Sequence, residues 1–188
     1  MVLASSSPRR RQLLARYPVE VVVVPSDVVE VTAADPEGHV MANARAKAEA
    51  VAEKMTGLIL GADTAVAHRG TVLGKPDSRD HARAMLERLS GTTHEVLTAL
   101  HVLDSESGDA RSAVERTEVT FRTLQPVDIE RYLALEEYIG VAGAYAIQGV
   151  AGAFVERIKG DFYNVVGLPL CRLELLLSAF GVSLLAAG

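Results

Sequence analysis

One short stretch, Ser5-Ser6-Ser7-Pro8-Arg9-Arg10-Arg11, gathers three hydroxyls and three guanidiniums. It lies where a strand-like run gives way to a helical one. Helix N-termini present free N–H groups and partial positive charge, so they bind anions. Arginine suits phosphate because its planar fork donates two bonds at once. A helix cap followed by solvated arginines would use the same residues. A second group is Gly61-Ala62-Asp63-Thr64, after the apolar run Leu58-Ile59-Leu60. A carboxylate at the end of a buried strand faces the place where α/β proteins put ligands. It can hold a divalent cation or orient and deprotonate water, or simply close the strand in an Asx turn. Lys75, in Gly74-Lys75-Pro76, is either a point charge for phosphate or an exposed loop lysine. In the small-residue run Gly140 to Gly149, backbone can approach a ligand closely, and the Gln148 amide both donates and accepts, as reading a base edge requires. Tyr145 in the same run reads as core.

Other chemistries are excluded. The chain has no Gly-Lys-Ser/Thr phosphate loop and no Gly-x-Ser-x-Gly nucleophile elbow. His39, His68, His81, His94 and His101 lack the spacing of a structural zinc site. Cys171 is the only cysteine, which rules out a disulfide scaffold, and it reads as core in the last helix. The 188 residues are 49% hydrophobic and 23% charged, with formal net charge −5, values that exclude disorder. The acidic balance argues against general nucleic-acid binding. No apolar run reaches the ~18 residues a membrane helix needs, and Met1-Val2-Leu3-Ala4-Ser5 lacks a basic signal region. A cytoplasmic protein that binds neither nucleic acid nor membrane is expected.

The elements that must position these groups alternate between strand and helix. Val2 to Ala4 reads as a first strand. Ser7 caps a helix that opens with Pro8 and runs to Arg16. Val19 to Val24 reads as a buried strand, Pro36 to Lys54 as a long helix, and Leu58 to Ala62 as a buried strand ending at Asp63. A hairpin turning at Arg69-Gly70 follows, then a capped helix from Ser78 to Leu89. Val96 to Leu103 and Val114 to Leu124 read as paired strands. The polar run Asp104 to Asp109 between them is a hairpin loop rather than a linker. A helix over Pro126 to Leu135, a strand over Phe154 to Ile158 and a leucine-rich helix over Pro169 to Phe180 complete the chain. This order predicts an α/β or mixed α+β fold, one domain over residues 1–188, with a mixed sheet flanked by helices.

Six motifs occur in order: Leu3 to Arg10, Gly61 to Thr64, Gly74-Lys75-Pro76, Ser90-Gly91-x-x-His94-x-Val96-x-Thr98, Ala142 to Gly149, and Asn164 to Leu170. Together they resemble the Maf family of nucleoside triphosphate pyrophosphatases. The resemblance implies a twisted mixed sheet in two lobes around a cleft, like that of the inosine triphosphate pyrophosphatases. It also implies a homodimer, a divalent metal (Mg²⁺ or Mn²⁺), and hydrolysis of a nucleoside triphosphate to a monophosphate and pyrophosphate. The family's catalytic aspartate falls on Asp63 and its cleft lysine on Lys75. Its phosphate-binding residues fall on Ser5, Arg9 and Arg10, its second acid on Glu30 beside Asp63 as metal ligand, and its helix lysine on Lys47. Arg9, Thr64 and Gln148 match the dTTP/UTP branch; the branch acting on 7-methyl-GTP has tryptophan and glutamate at the first and last. Val141 stands where the family carries lysine, with Arg11 or Lys159 as candidate replacements for the missing charge. That departure leaves room for a nucleotide-binding regulator of cell division with little catalysis.

Overall fold

The computed structural model describes residues 1–31, 33 and 35–186. A mixed sheet forms its centre. The strands are β1 (Val2–Ala4), β2 (Val22–Val23), β3 (Leu58–His68), β4 (Thr71–Leu73), β5 (Thr93–Asp104), β6 (Ala110–Phe121) and β7 (Val155–Lys159). They are ordered β2-β1-β3-β5-β6-β7, with β4 paired to the outer part of β3. β1 runs parallel to both neighbours, while the neighbouring pairs β3–β5, β5–β6 and β6–β7 are antiparallel. The helices are α1 (Pro8–Leu14), α2 (Pro36–Ala52), α3 (Arg79–Leu89), α4 (Pro126–Leu133), α5 (Phe162–Val166) and α6 (Leu170–Ser178).

The period of two along a strand assigns the faces. On β3, Ile59, Ala65 and Ala67 point to the side covered by α2, where they meet Val40, Ala44, Ala48 and Val51. Gly61 is on that side too. A Cβ there would lie 2.0 Å from the Ala44 carbonyl oxygen, so the missing side chain lets α2 lie directly on the strand. Lys47, one turn beyond Ala44, then reaches Asp63, two residues beyond Gly61. The opposite face carries two apolar clusters. Leu60, Ala62 and Leu100 pack with Leu13, Leu14, Leu173 and Leu177. Val66 and Val96 pack with Leu86, Phe121, Tyr132 and Tyr145. Thr64 and Thr98, a register pair across β3 and β5, stand between the two.

Three expectations need correction. β3 does not end at Asp63; it continues to His68. The strand that ends is β1, whose Ala4 pairs with Gly61. Asp63 and Thr64 therefore lie just past the end of a neighbouring strand, where one edge of β3 is open. Val19 to Val24 yields only the two-residue edge strand β2, with Val22 53% and Val23 37% exposed. Its single neighbour, β1, is three residues long, so little ladder is available to extend it. Cys171 is exposed. The buried face of α6 is set by Leu170, Leu173 and Leu177, and Cys171 is rotated about 100° from Leu170. The hairpin loop at Asp104 to Asp109 is present, closed by Asp104 N donating to Asp109 O at 2.8 Å.

Candidate active site

The open edge of β3 faces a cleft of about 650 Å³. Ser5, Arg9, Arg10, Glu30, Lys47, Asp63, Thr64, Lys75 and Gln148, the site residues expected from the sequence, all line it. They come from β1 and α1, the segment before α2, α2 itself, β3, the turn after β4, and the small-residue segment after α4.

Asp63 is buried, and its Oδ1 accepts from Lys47 Nζ at 2.5 Å. Lys47 Nζ also donates to Glu30 Oε1 at 2.9 Å. Lys75 Nζ donates to both Glu30 oxygens, at 3.0 and 3.1 Å. Burial pushes the Glu30 carboxyl up, but the hydrogen bonds and charges of Lys47 and Lys75 outweigh it and bring the pKa down to about 2. Glu30 is thus ionised at neutral pH and ties two ammonium groups together. Its backbone is pinned by a residue the sequence reading missed. Asn43, buried on α2 one turn before Lys47, accepts from Val31 N at 2.8 Å and donates to Val31 O at 3.1 Å. An Asn–Lys pair at i and i+4 shares a helix face, and here that face holds both the acid and the chain beside it.

The opening turn divides its arginines. Ser7 caps α1, its side chain accepting from Arg10 N. Arg10 is buried: Nε donates to Gly167 O at 2.8 Å, one Nη to Ser5 Oγ at 3.1 Å and the other to Thr64 Oγ1 at 2.9 Å. A guanidinium has five N–H donors, and three are used here, so two are left over on a residue that lines the cleft. Desolvation lowers the pKa of both Arg9 and Arg10, yet a guanidinium stays charged in proteins. Arg11 points to solvent and takes no part in the cleft. Lys159 pairs with Glu118 at 3.1 Å. Neither Arg11 nor Lys159 lines the cleft, so neither restores the charge missing at Val141, which does line it.

The other wall is the small-residue segment. Gly143 has φ 69°, and a Cβ on it would lie 2.7 Å from Val66 Cγ2, so only glycine fits. Its N–H donates to Gly74 O at 3.0 Å, fastening this wall to the Lys75 turn. Tyr145 is core, as expected, and also faces the cleft; its hydroxyl lies 2.8 Å from His94 Nε2. Burial pushes the Tyr145 hydroxyl up and the His94 ring down to about 3, so both are neutral. Gln148 is exposed at the cleft mouth, and among the described residues nothing engages its amide.

Two carboxylates and no more converge here. Among the described residues no group of three or more His, Cys, Asp or Glu side chains could hold a metal. Magnesium is commonly held by one or two carboxylates together with substrate phosphates. Asp63 and Glu30, already sharing one cation in Lys47, fit such a part-built site. Among the described residues no helix is long and apolar enough to cross a membrane.

The family model described as "Maf-like protein" matches residues 1–180. The dTTP/UTP pyrophosphatase of Moorella thermoacetica is 49% identical over 185 residues, 97% of this chain and 95% of that protein. That of Anaeromyxobacter dehalogenans is 47% identical over 188 residues, 98% of this chain and 95% of that protein. A solved nucleoside-triphosphatase / dITP/XTP pyrophosphatase from Mycobacterium abscessus aligns over 65% of this chain and 74% of its own, with TM-score 0.46 and 19% identity. A near full-length family match, relatives at almost half identity and the six motifs meeting in one cleft lead to one statement: the chain belongs to the Maf family.

Proposed function

We propose that this chain is a nucleoside triphosphate pyrophosphatase acting on dTTP and UTP. The observation that carries the reading is the convergence of Arg9, Arg10, Lys47 and Lys75 on one cleft with Asp63 buried among them. The near full-length relatives named dTTP/UTP pyrophosphatase support the substrate. A triphosphate carries about four negative charges, and its cleavage depends on positioning and charge stabilisation more than on covalent chemistry.

Arg9, the two remaining Arg10 donors and Lys75 bind the phosphates at the helix terminus capped by Ser7. Ser5 holds the Arg10 guanidinium at the required angle. Asp63 accepts a proton from water as the water oxygen attacks the α-phosphorus; the bridging α–β oxygen leaves with the electron pair of the broken bond, as pyrophosphate. Lys47 holds the Asp63 carboxylate in place for that step through their hydrogen bond. Asp63 and Glu30 would hold a divalent cation, Mg²⁺ or Mn²⁺, which when bound supplies Lewis acidity and offsets phosphate charge. Gln148 presents one donor and one acceptor to the imide edge of thymine or uracil. The cation of a 7-methylguanine meets Arg9 rather than an aromatic face, which disfavours it. On the family resemblance, residues 1–188 act as one unit in a cytoplasmic homodimer.

The test is incubation of purified protein with dTTP, UTP or 7-methyl-GTP and Mg²⁺ or Mn²⁺, with chromatography of the products. Repeated release of pyrophosphate and monophosphate from the pyrimidine nucleotides is expected. Stoichiometric binding without turnover would make the chain a nucleotide-binding regulator instead.

A further inference from the structure

Two residues of the six motifs, Thr98 and Asn164, lie behind the cleft wall. Both side chains are completely buried. The Thr98 hydroxyl and the Asn164 backbone carbonyl belong to a chain of hydrogen bonds that starts at Arg10, and the Asn164 side chain anchors that carbonyl. One Arg10 Nη donates to Thr64 Oγ1 at 2.9 Å. Thr64 Oγ1 lies 2.9 Å from Thr98 Oγ1, and Thr98 Oγ1 lies 3.0 Å from the Asn164 carbonyl oxygen. A carbonyl only accepts, so Thr98 spends its single proton on Asn164. It must then accept from Thr64, which leaves a Thr64 lone pair for the guanidinium. Only this proton order satisfies all three contacts.

The far end of the chain is rigid. Asn164 Nδ2 donates to Val96 O and to Thr117 Oγ1, both at 2.9 Å. Three residues on, Gly167 ends α5 in the left-handed region, φ 111°. That turn aims its carbonyl at Arg10 Nε, 2.8 Å away. The hydrogen bonds thus close a ring from Arg10 through Thr64, Thr98 and Asn164 to Gly167 and back. A Cβ on Gly167 would lie 3.2 Å from Thr64 Oγ1, so glycine keeps the ring closed. The ring runs through the seam between the two apolar clusters, and it pairs the Thr64 and Thr98 hydroxyls there, where unpartnered polar groups are costly.

We propose that Thr98 and Asn164 are positioning residues that aim the Arg10 guanidinium at the phosphates, with Thr64 as the link between them. Thr64 therefore acts at the phosphate end of the substrate, through Arg10, and not by reading the base. The inference rests on the phosphate-binding part of the function proposed above.

Thr98→Val keeps the shape and removes the hydroxyl; Thr98→Ser keeps the hydroxyl. Both would be compared with the unmodified chain by thermal unfolding, by the affinity for inorganic tripolyphosphate and by kcat/KM on dTTP. Thr98→Val should weaken tripolyphosphate binding and lower kcat/KM by about tenfold, the effect of misdirecting the one hydrogen bond by which Thr64 holds the charged Arg10, and Thr98→Ser should recover all but about threefold. In an Arg10→Ala background, Thr98→Val should change the affinity by less than about twofold, because the group it aims is gone. A lower melting temperature with unchanged affinity, or a loss just as large without Arg10, would overturn the proposal. If the chain binds tripolyphosphate but never cleaves dTTP, the hydrolase reading falls while the binding comparison still decides this one. No tripolyphosphate binding at all would overturn both.

Discussion

Replacing Lys47 by methionine removes the ammonium that Asp63 and Glu30 share while keeping most of the side-chain volume. The Lys47 and Asp63 side chains are only 11% and 8% exposed, and they meet at 2.5 Å. Removing one partner of a buried ion pair typically costs 3–5 kcal/mol, because the other charge stays buried alone. Here the pair borders an open cleft and the Arg10 charge is close to Asp63, so the lower end applies, about 3 kcal/mol. For a chain of this size that is a fall in melting temperature of roughly 6–12 °C. In an Asp63→Asn background the only carboxylate that loses Lys47 is Glu30, which keeps Lys75, so the same replacement should cost only about 1 kcal/mol, a coupling of about 2 kcal/mol. Urea unfolding of the four proteins at pH 7, without divalent ions, gives the full cycle. A Lys47→Met cost below about 1 kcal/mol, or a coupling near zero, would refute the claim that Lys47 holds the site's buried charge.

Two further outcomes follow from particular contacts. His94 is held neutral, with its pKa pushed down to about 3 by burial and the nearby His68 charge. The unfolded chain binds a proton near pH 6.5, so this contribution is complete above that value and falls as pH drops toward 3. Between pH 7 and pH 5 the unmodified chain should lose about 2 kcal/mol more stability than His94→Gln, read from denaturant midpoints; equal losses would contradict it. Gln148→Glu should lower kcat/KM on dTTP and UTP by about tenfold or more, since a carboxylate repels the imide carbonyl oxygens, while purine triphosphates lose less. An equal loss on every substrate, in the same product assay, would remove Gln148 from base reading.

Part of the cleft was legible in the sequence because those residues sit in short motifs with local causes, whereas Glu30 and Lys47 were placed only by the family resemblance. Ser7-Pro8 caps and starts α1, and Gly74-Lys75-Pro76 makes a turn. Gly143 is required by φ and by Val66. What hid was everything set by the neighbour in space. The apolar run before Asp63 looks like a strand that stops, because sequence shows a strand's own pattern and not where the adjacent strand ends. The end of β1 at Ala4 makes the open edge, and nothing local to Asp63 reports it. The double use of Arg10 was hidden likewise. Its partners Gly167 and Thr64 lie far along the chain, so it read as a simple phosphate ligand. Asn43 looked like one more polar residue in a polar helix, and its grip on Val31 depends on a loop with no regular pattern. Val19 to Val24 misled through composition: β-branched residues mark strand propensity, but propensity does not supply a partner.

In the proposed mechanism Asp63 performs the hydrolysis while the cations around it hold the polyphosphate. Pyrophosphate release from dTTP with Mg²⁺, measured for the unmodified chain and for Asp63→Asn after matched unfolding curves, tests it most directly. Many turnovers are expected for the first and at least about a hundredfold loss for the second, the usual contribution of a general base. Comparable turnover by both would contradict it.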